Sequence, residues 1–164
     1  MTKTAQLAAI KSLLVAQTWT GGSVVFPSGG VVITRAIDIK KAIGGGIPWP
    51  MCLIMPGAFP SDPEYGEEPD FLIGKVVIRI AVIAPGDTVG ENPLVGANRP
   101  AVTATEGAGL YDIEQMVYTA VGKLNTQDAI TIQFRQIGEQ GAELYENNYL
   151  AWEDLEFESV CTVT

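Results

Sequence analysis

Apolar residues recur at helical spacing in two stretches of the chain, residues 4–17 and residues 109–124. In each stretch they fall on one stripe, which is typical of an amphipathic helix packed on a core. The two stripes consist of Leu7, Ile10, Leu13 and Leu14, and of Leu110, Ile113, Val117, Ala120, Val121 and Leu124. We predict two helices, the first capped by Thr4 and the second ended by Asn125.

Strand patterns occupy much of the remaining sequence. The strongest is KVVIRIAVIA at residues 75–84, where a Val or Ile at every second position faces one side of a strand. Residues 51–55 predict a buried strand. Residues 130–135 and 149–164 predict a closing antiparallel hairpin whose turn lies at residues 138–141.

Two further short strands, residues 24–26 and 31–33, are predicted on either side of the turn sequence PSGG. Helices separated by runs of antiparallel strands predict an α+β fold, in which a mixed, mostly antiparallel β-sheet carries two helices packed on one face. We expect one domain over residues 1–164, with long loops at about residues 58–70 and 85–105.

The composition fits this single-domain prediction, because 47% of the 164 residues are hydrophobic and 18% are charged. The longest apolar runs end well before the roughly 18 residues that a membrane-spanning helix requires. We therefore expect a soluble protein that makes no membrane contact. Lys11 interrupts the apolar N-terminal stretch, so we interpret that stretch as part of the fold rather than a signal peptide.

The net charge is −9, and the ten Lys and Arg residues are scattered along the sequence. This disfavours simple binding to a nucleic-acid backbone, because such binding depends on neutralising phosphates with clustered cations. An acidic surface would instead suit a passage through which DNA slides without adsorbing.

The sequence contains no histidine, which excludes Ser-His-Asp and Cys-His catalytic triads and histidine-ligated metal sites. The glycine stretches at residues 44–46 and 90–96 lack the GK[ST] sequence of a phosphate-binding loop. We predict that the protein is not an enzyme and uses no cofactor. One acidic cluster leaves open an alternative, a cation-binding module with oxygen ligands, and it comprises Asp62, Glu64, Glu67, Glu68 and Asp70.

The two cysteines, Cys52 and Cys161, each lie in an apolar, strand-like segment with no CxxC spacing. We interpret them as buried, reduced thiols, and a disulfide that joins two strands is the alternative.

Segments that resemble loops carry an unusual number of large apolar and aromatic residues. Each could cap the core of its own domain, but together they predict loops that order against neighbouring subunits. The predicted interface residues are Trp49, Phe59, Tyr65, Phe71, Leu94, Val95, Arg99 and Tyr145. Glu156 and Glu158 alternate with Leu155 and Phe157, so they should lie on the solvent or lumen side of an amphipathic strand.

The order of these elements resembles the tail terminator (tail completion) proteins of long-tailed bacteriophages and their minor tail component relatives. The segments that carry the resemblance are the amphipathic N-terminal helix, IPWPMCLIM, KVVIRIAVIA, LYDIEQMVYTAVGKL and LEFESV. The resemblance implies a homo-oligomeric ring, a hexamer, that caps the tail tube and ends its polymerisation. It also implies a surface that joins head to tail and a lumen through which DNA passes without specific binding.

The implied partners are further copies of the chain, the major tail tube protein and the head-tail connector or head completion protein. The implied location is the tail or neck of the virion, assembled in the host cytoplasm. Glu156 and Glu158 would face the lumen, and the two long loops would contact the adjacent subunit, the tube or the connector. The alternative within this class is another virion subunit, a head completion or major tail protein.

Overall fold

The computed structural model describes residues 2–19, 21–35, 46–57, 71–85, 94, 109–127, 131–145 and 148–162. Its helices and strands, in chain order, are α1 (Lys3–Val15), β1 (Val31–Ile33), β2 (Met51–Pro56), β3 (Phe71–Pro85), α2 (Leu110–Gln127), β4 (Ile132–Tyr145) and β5 (Asn148–Thr162).

The five strands form one sheet with the order β1-β2-β3-β5-β4. Strand β1 runs parallel to β2, and every other neighbouring pair is antiparallel. This confirms the predicted α+β class with a mixed, mostly antiparallel sheet. The longest pairing joins β3 to β5, from Phe71 opposite Thr162 to Pro85 opposite Asn148.

Both helices pack on the same face of the sheet, which we call the helix face. The predicted stripes of α1 and α2 meet the even-numbered residues Val76 to Val82 of β3 in one continuous core. Phe157 and Phe134 extend this core across β5 and β4, and Tyr118 of α2 packs edge-on against Phe134, with ring centroids 5.1 Å apart. Fully burying an aliphatic or aromatic side chain contributes about 1.5–3 kcal/mol, so this layer is the main source of stability.

The helix ends differ from the prediction. Thr2, rather than Thr4, caps α1, and its hydroxyl oxygen accepts a hydrogen bond from the backbone N–H of Ala5 at 3.3 Å. Helix α2 continues through Asn125 to Gln127. Asparagine is only mildly unfavourable inside a helix, and no glycine or proline stands at residues 125–127 to stop it.

The predicted turn at residues 138–141 is wrong, because β4 runs straight through it. The glycines of this segment lie where side chains of β5 come close to the backbone of β4. A Cβ on Gly141 would lie 2.1 Å from the ring atom Cζ2 of Trp152, and one on Gly138 would lie 2.8 Å from Oε1 of Glu156. The pairing with β5 also shifts register twice, between Phe134 and Gln136 and between Ile137 and Gln140, and the second irregularity contains Gly138.

The predicted hairpin around PSGG is also wrong. Of its two strands only β1 forms, and β1 pairs in parallel with β2. Val24 makes an isolated antiparallel bridge to Thr18, while the side chains of Val25 and Phe26 are buried in the helix-face core. Three apolar residues in a row can form either a strand or an irregular segment that fills a core. Residues 24–26 form the second kind of segment.

Candidate interaction surface on the sheet

The face of the sheet that lies opposite the helices, which we call the distal face, has an apolar part and an ionic part. The apolar part lies over β2 and the adjoining end of β3, where Met51, Leu53 and Ala81 are buried. Half-buried side chains pack against these three, and they are Val32, Ile47, Trp49 and Trp152. The ionic part covers the centre of β3, β5 and β4.

Arg79 lies at the centre of the ionic part. Its guanidinium binds Asp154 on β5 in a bidentate manner, donating from Nε to Oδ1 at 2.6 Å and from Nη2 to Oδ2 at 2.8 Å. Nη2 also donates to Oε2 of Glu139 on β4 at 2.6 Å. The hydrogen bond with Asp154 raises the pKa of Arg79. Arg79 and Asp154 are buried, so the pair fixes the register of two strands in a region of low dielectric constant.

Glu156 is the second ionic contact on this face. The ammonium of Lys75 on β3 donates to its Oε1, and Nε2 of Gln136 on β4 donates to its Oε2 at 2.8 Å. The hydrogen bond from Lys75 lowers the pKa of the Glu156 carboxyl. Glu156 therefore joins three strands as a carboxylate.

Glu158 pairs with Arg135 of β4 in a bidentate contact, with Nη2 to Oε1 at 2.6 Å and Nε to Oε2 at 3.2 Å. Both side chains are substantially exposed, at 50% for Arg135 and 38% for Glu158. Such an exposed pair contributes at most about 1 kcal/mol.

The predicted position of Glu156 and Glu158 on a polar strand face agrees with these contacts, and each carboxylate is paired with a cation. Ion pairs on the distal face join three cations, Lys75, Arg79 and Arg135, to the carboxylates of Glu139, Asp154, Glu156 and Glu158. Among these groups the charge is therefore nearly balanced. Sequence reasoning missed this balance, because the pairs depend on strand order and register.

Glu153 is an unexpected carboxyl group on the helix face of β5. The residue is 1% exposed, its Oε2 accepts a hydrogen bond from Nε2 of Gln140 at 3.3 Å, and its Oε1 has no hydrogen-bond partner. Burial, and then the charge of Glu114 on α2, raise its pKa to about 7. The sequence did indicate this position, because Glu153 is separated from Leu155 and Phe157 by even numbers of residues and so lies on the same face of the strand.

The structure describes only some of the predicted interface residues. Trp49 packs half-buried against the apolar part of the distal face, and Leu94 packs against the helix-face core. Phe71 and Tyr145 lie in β3 and β4, opposite Thr162 and Asn148 of β5, but their side chains fall outside the described part of the chain. Phe59, Tyr65, Val95 and Arg99 also lie outside it, so their role at an interface stays a prediction.

The structure describes some, but not all, of the side chains that the sequence singled out as possible metal ligands or thiols. None of the side chains in the described ranges form a group of three or more acidic or cysteine residues that could hold a metal ion. The acidic cluster at residues 62–70 lies outside those ranges. Cys52 is a free thiol, as predicted, and burial raises its pKa. The side chain of Cys161 is not among those described.

No helix in the described ranges is both long enough and apolar enough to cross a membrane. Comparison of the sequence with protein-family models and with curated proteins finds no match.

Proposed function

We propose that this chain is a structural subunit of a phage virion, a tail terminator that assembles into a hexameric ring at the end of the tail tube. The observation that carries the proposal is the two-sided sheet, with helices packed on one face and a charge-balanced network of ion pairs on the other. Such a sheet can form the wall of a channel, because the exposed side chains of its ionic part can meet water while the helix face stays within the subunit.

The dimensions of the strands support this role. Strands β3, β4 and β5 have 15, 14 and 15 residues. At about 3.3 Å per residue, each spans roughly 45–50 Å, so one subunit could form a tall section of a ring wall. In this arrangement the ionic part of the distal face lines the lumen.

The near balance of positive and negative side chains on the distal face bears on how the lumen would interact with DNA. DNA adsorbs to surfaces that neutralise its phosphates with Lys and Arg. On the distal face Lys75 and Arg135 are already engaged by Glu156 and Glu158. The cations are therefore held by carboxylates of the protein, and DNA can move past without finding a set of free positive charges.

The assembly can be tested with the purified full-length protein, alone and mixed with isolated tail tubes. We expect native mass spectrometry or light scattering to detect a hexamer, formed either in solution or on contact with the tube. Electron microscopy should then show one ring at one end of each tube. Repeated copies along the tube would identify a tail-tube subunit, and absence from purified particles would refute the virion role.

A further inference from the structure

A cavity lies on the helix face of the sheet, between the first turn of α2 and strands β4 and β5. Its volume is about 230 Å³, and Leu94, Leu110, Tyr111, Gln140, Ala142 and Glu153 are among the residues that line it. Tyr111 and Ala142 are exposed, while Glu153 is 1% exposed. The cavity can therefore admit a small group from solvent to a buried carboxyl group.

The carboxyl group of Glu153 is only partly hydrogen-bonded. Gln140 lies opposite it on β4, and Nε2 of Gln140 donates to Oε2 of Glu153 at 3.3 Å. Oε1 of Glu153 is buried and has no hydrogen-bond partner. A buried acceptor without a partner is unfavourable, so a bound hydrogen-bond donor would be stabilised at this oxygen.

A second carboxyl group, that of Glu114 on α2, adds negative potential at the same place. Burial, and then the charge of Glu114, raise the pKa of Glu153 to about 7, and the charge of Asp154 acts in the same direction. No ion pair between described residues includes Glu153 or Glu114. A cation that enters the cavity would therefore meet two carboxyl groups that the described part of the chain leaves without a positive charge.

The walls of the cavity favour one class of cation. A divalent metal ion takes about six or more oxygen ligands, and the described side chains form no group of three or more acidic or cysteine residues that could hold one. Leu94, Leu110 and Ala142 give the cavity apolar walls. An alkylammonium group fits better, because its apolar chain suits these walls and its three N–H donors suit the carboxyl oxygens.

We propose that this cavity binds a primary alkylammonium group, whose N–H donors bind Oε1 of Glu153 beside Glu114 and whose alkyl chain packs on Leu94 and Leu110. The group comes either from a lysine side chain of a partner protein or from a free amine, since both present the same chemistry. The site lies on the helix face, so it does not depend on the proposed ring.

The first measurement follows the side-chain carboxyl group of Glu153 by NMR in the full-length chain without added amine. We expect it to titrate near its raised pKa of about 7. A carboxyl group that titrates below its ordinary value of 4.5 would show that a cation of the same chain already occupies the cavity, and would overturn the proposal.

The second measurement adds n-butylammonium chloride and follows the amide resonances of residues that line the cavity. We expect saturable shifts at about pH 8 and weaker binding at about pH 6, because Glu153 regains its proton there. Uncharged n-butanol, the matched probe, should cause no such shifts. Absence of saturable shifts with n-butylammonium, or equal shifts with n-butanol, would overturn the proposal.

Variants of the full-length chain locate the binding. Glu153→Gln should weaken n-butylammonium binding at least about tenfold, which is about 1.4 kcal/mol. Glu114→Gln should weaken it by a smaller factor, because Oε1 of Glu153 remains. Glu158→Gln is the matched control, since it changes a carboxylate on the distal face, and it should leave the affinity unchanged. Equal binding by Glu153→Gln and the wild type would refute the site.

Two further probes distinguish the sources and the rival ligand. Binding of Nα-acetyl-lysine amide with an affinity similar to that of n-butylammonium would support a lysine side chain of a partner. Binding of n-butylammonium alone would support a free amine. Tighter binding of magnesium ions that is lost in Glu153→Gln would identify a divalent cation site and overturn the proposal.

Discussion

The two faces of the sheet shift the pKa values of their carboxyl groups in opposite directions. On the distal face Lys75 lowers the pKa of Glu156, while on the helix face burial raises the pKa of Glu153 to about 7. The residues are only three apart on one strand, so the difference comes from their surroundings rather than from the sequence near them. A neighbouring cation favours the charged form of a carboxyl group, and burial in an apolar layer favours the neutral form.

The largest expected effect comes from breaking the buried ion pair of the distal face. Arg79→Met should lower the free energy of unfolding by about 3–5 kcal/mol, because it leaves the buried carboxylate of Asp154 without its cation. Arg135→Met, which breaks an exposed pair, should cost less than about 1 kcal/mol. Urea denaturation measures both, and equal losses in the two variants would show that burial does not set the strength of these pairs.

A double variant sharpens the same comparison. Arg79→Met with Asp154→Leu removes both charges, so it should recover most of the stability lost in the single variant. If the double variant stays as unstable as Arg79→Met alone, packing of the long Arg79 side chain rather than its charge stabilises the sheet.

The second largest expected effect is a pH dependence of stability that comes from Glu153, the buried carboxyl group of the helix face. The folded-state pKa of Glu153, about 7, lies above its ordinary value of 4.5. The stabilisation that this carboxyl contributes is therefore fully present below pH 4.5, and about 3 kcal/mol is lost as the pH rises from there through 7, where the carboxyl of the folded protein ionises. Glu153→Gln removes this loss, so the variant should exceed the wild type by about 3 kcal/mol at pH 8 and match it near pH 4.

Denaturation curves at several pH values provide the measurement, with Glu158→Gln as a control on the distal face. That control should show no comparable gain at pH 8, because Glu158 is partly exposed and paired with Arg135. A Glu153→Gln variant that is less stable than the wild type at pH 8 would contradict the account of this group.

The smallest effect concerns the close contact between the bulged strand β4 and β5. Gly141→Ala should destabilise the protein by about 2 kcal/mol, because its Cβ would overlap the indole ring of Trp152. Gly122→Ala on α2 meets no heavy atom within 4 Å and should stabilise by about 0.5–1 kcal/mol. Thermal unfolding distinguishes the two, and a neutral Gly141→Ala would mean that the indole ring of Trp152 moves aside without a cost in stability.

The sequence predicted the layers of this fold better than their details. Periodicity placed the stripe of α2 and the two faces of β3 correctly, because burial on one side imposes a regular pattern. Gly138 and Gly141 were misread because glycine marks both turns and close approaches, and only the partner strand distinguishes these uses. The ion pairs of Arg79 and Glu156 were not predictable without the order of β3, β5 and β4.

An electron cryomicroscopy reconstruction of the assembled protein on tail tubes, with the strands resolved, would test the proposed ring. We expect a closed sixfold ring in which β3, β5 and β4 face the axis and the Lys75–Glu156 and Arg135–Glu158 pairs border the channel. A ring with α1 and α2 facing the axis, or an assembly that does not close, would contradict it.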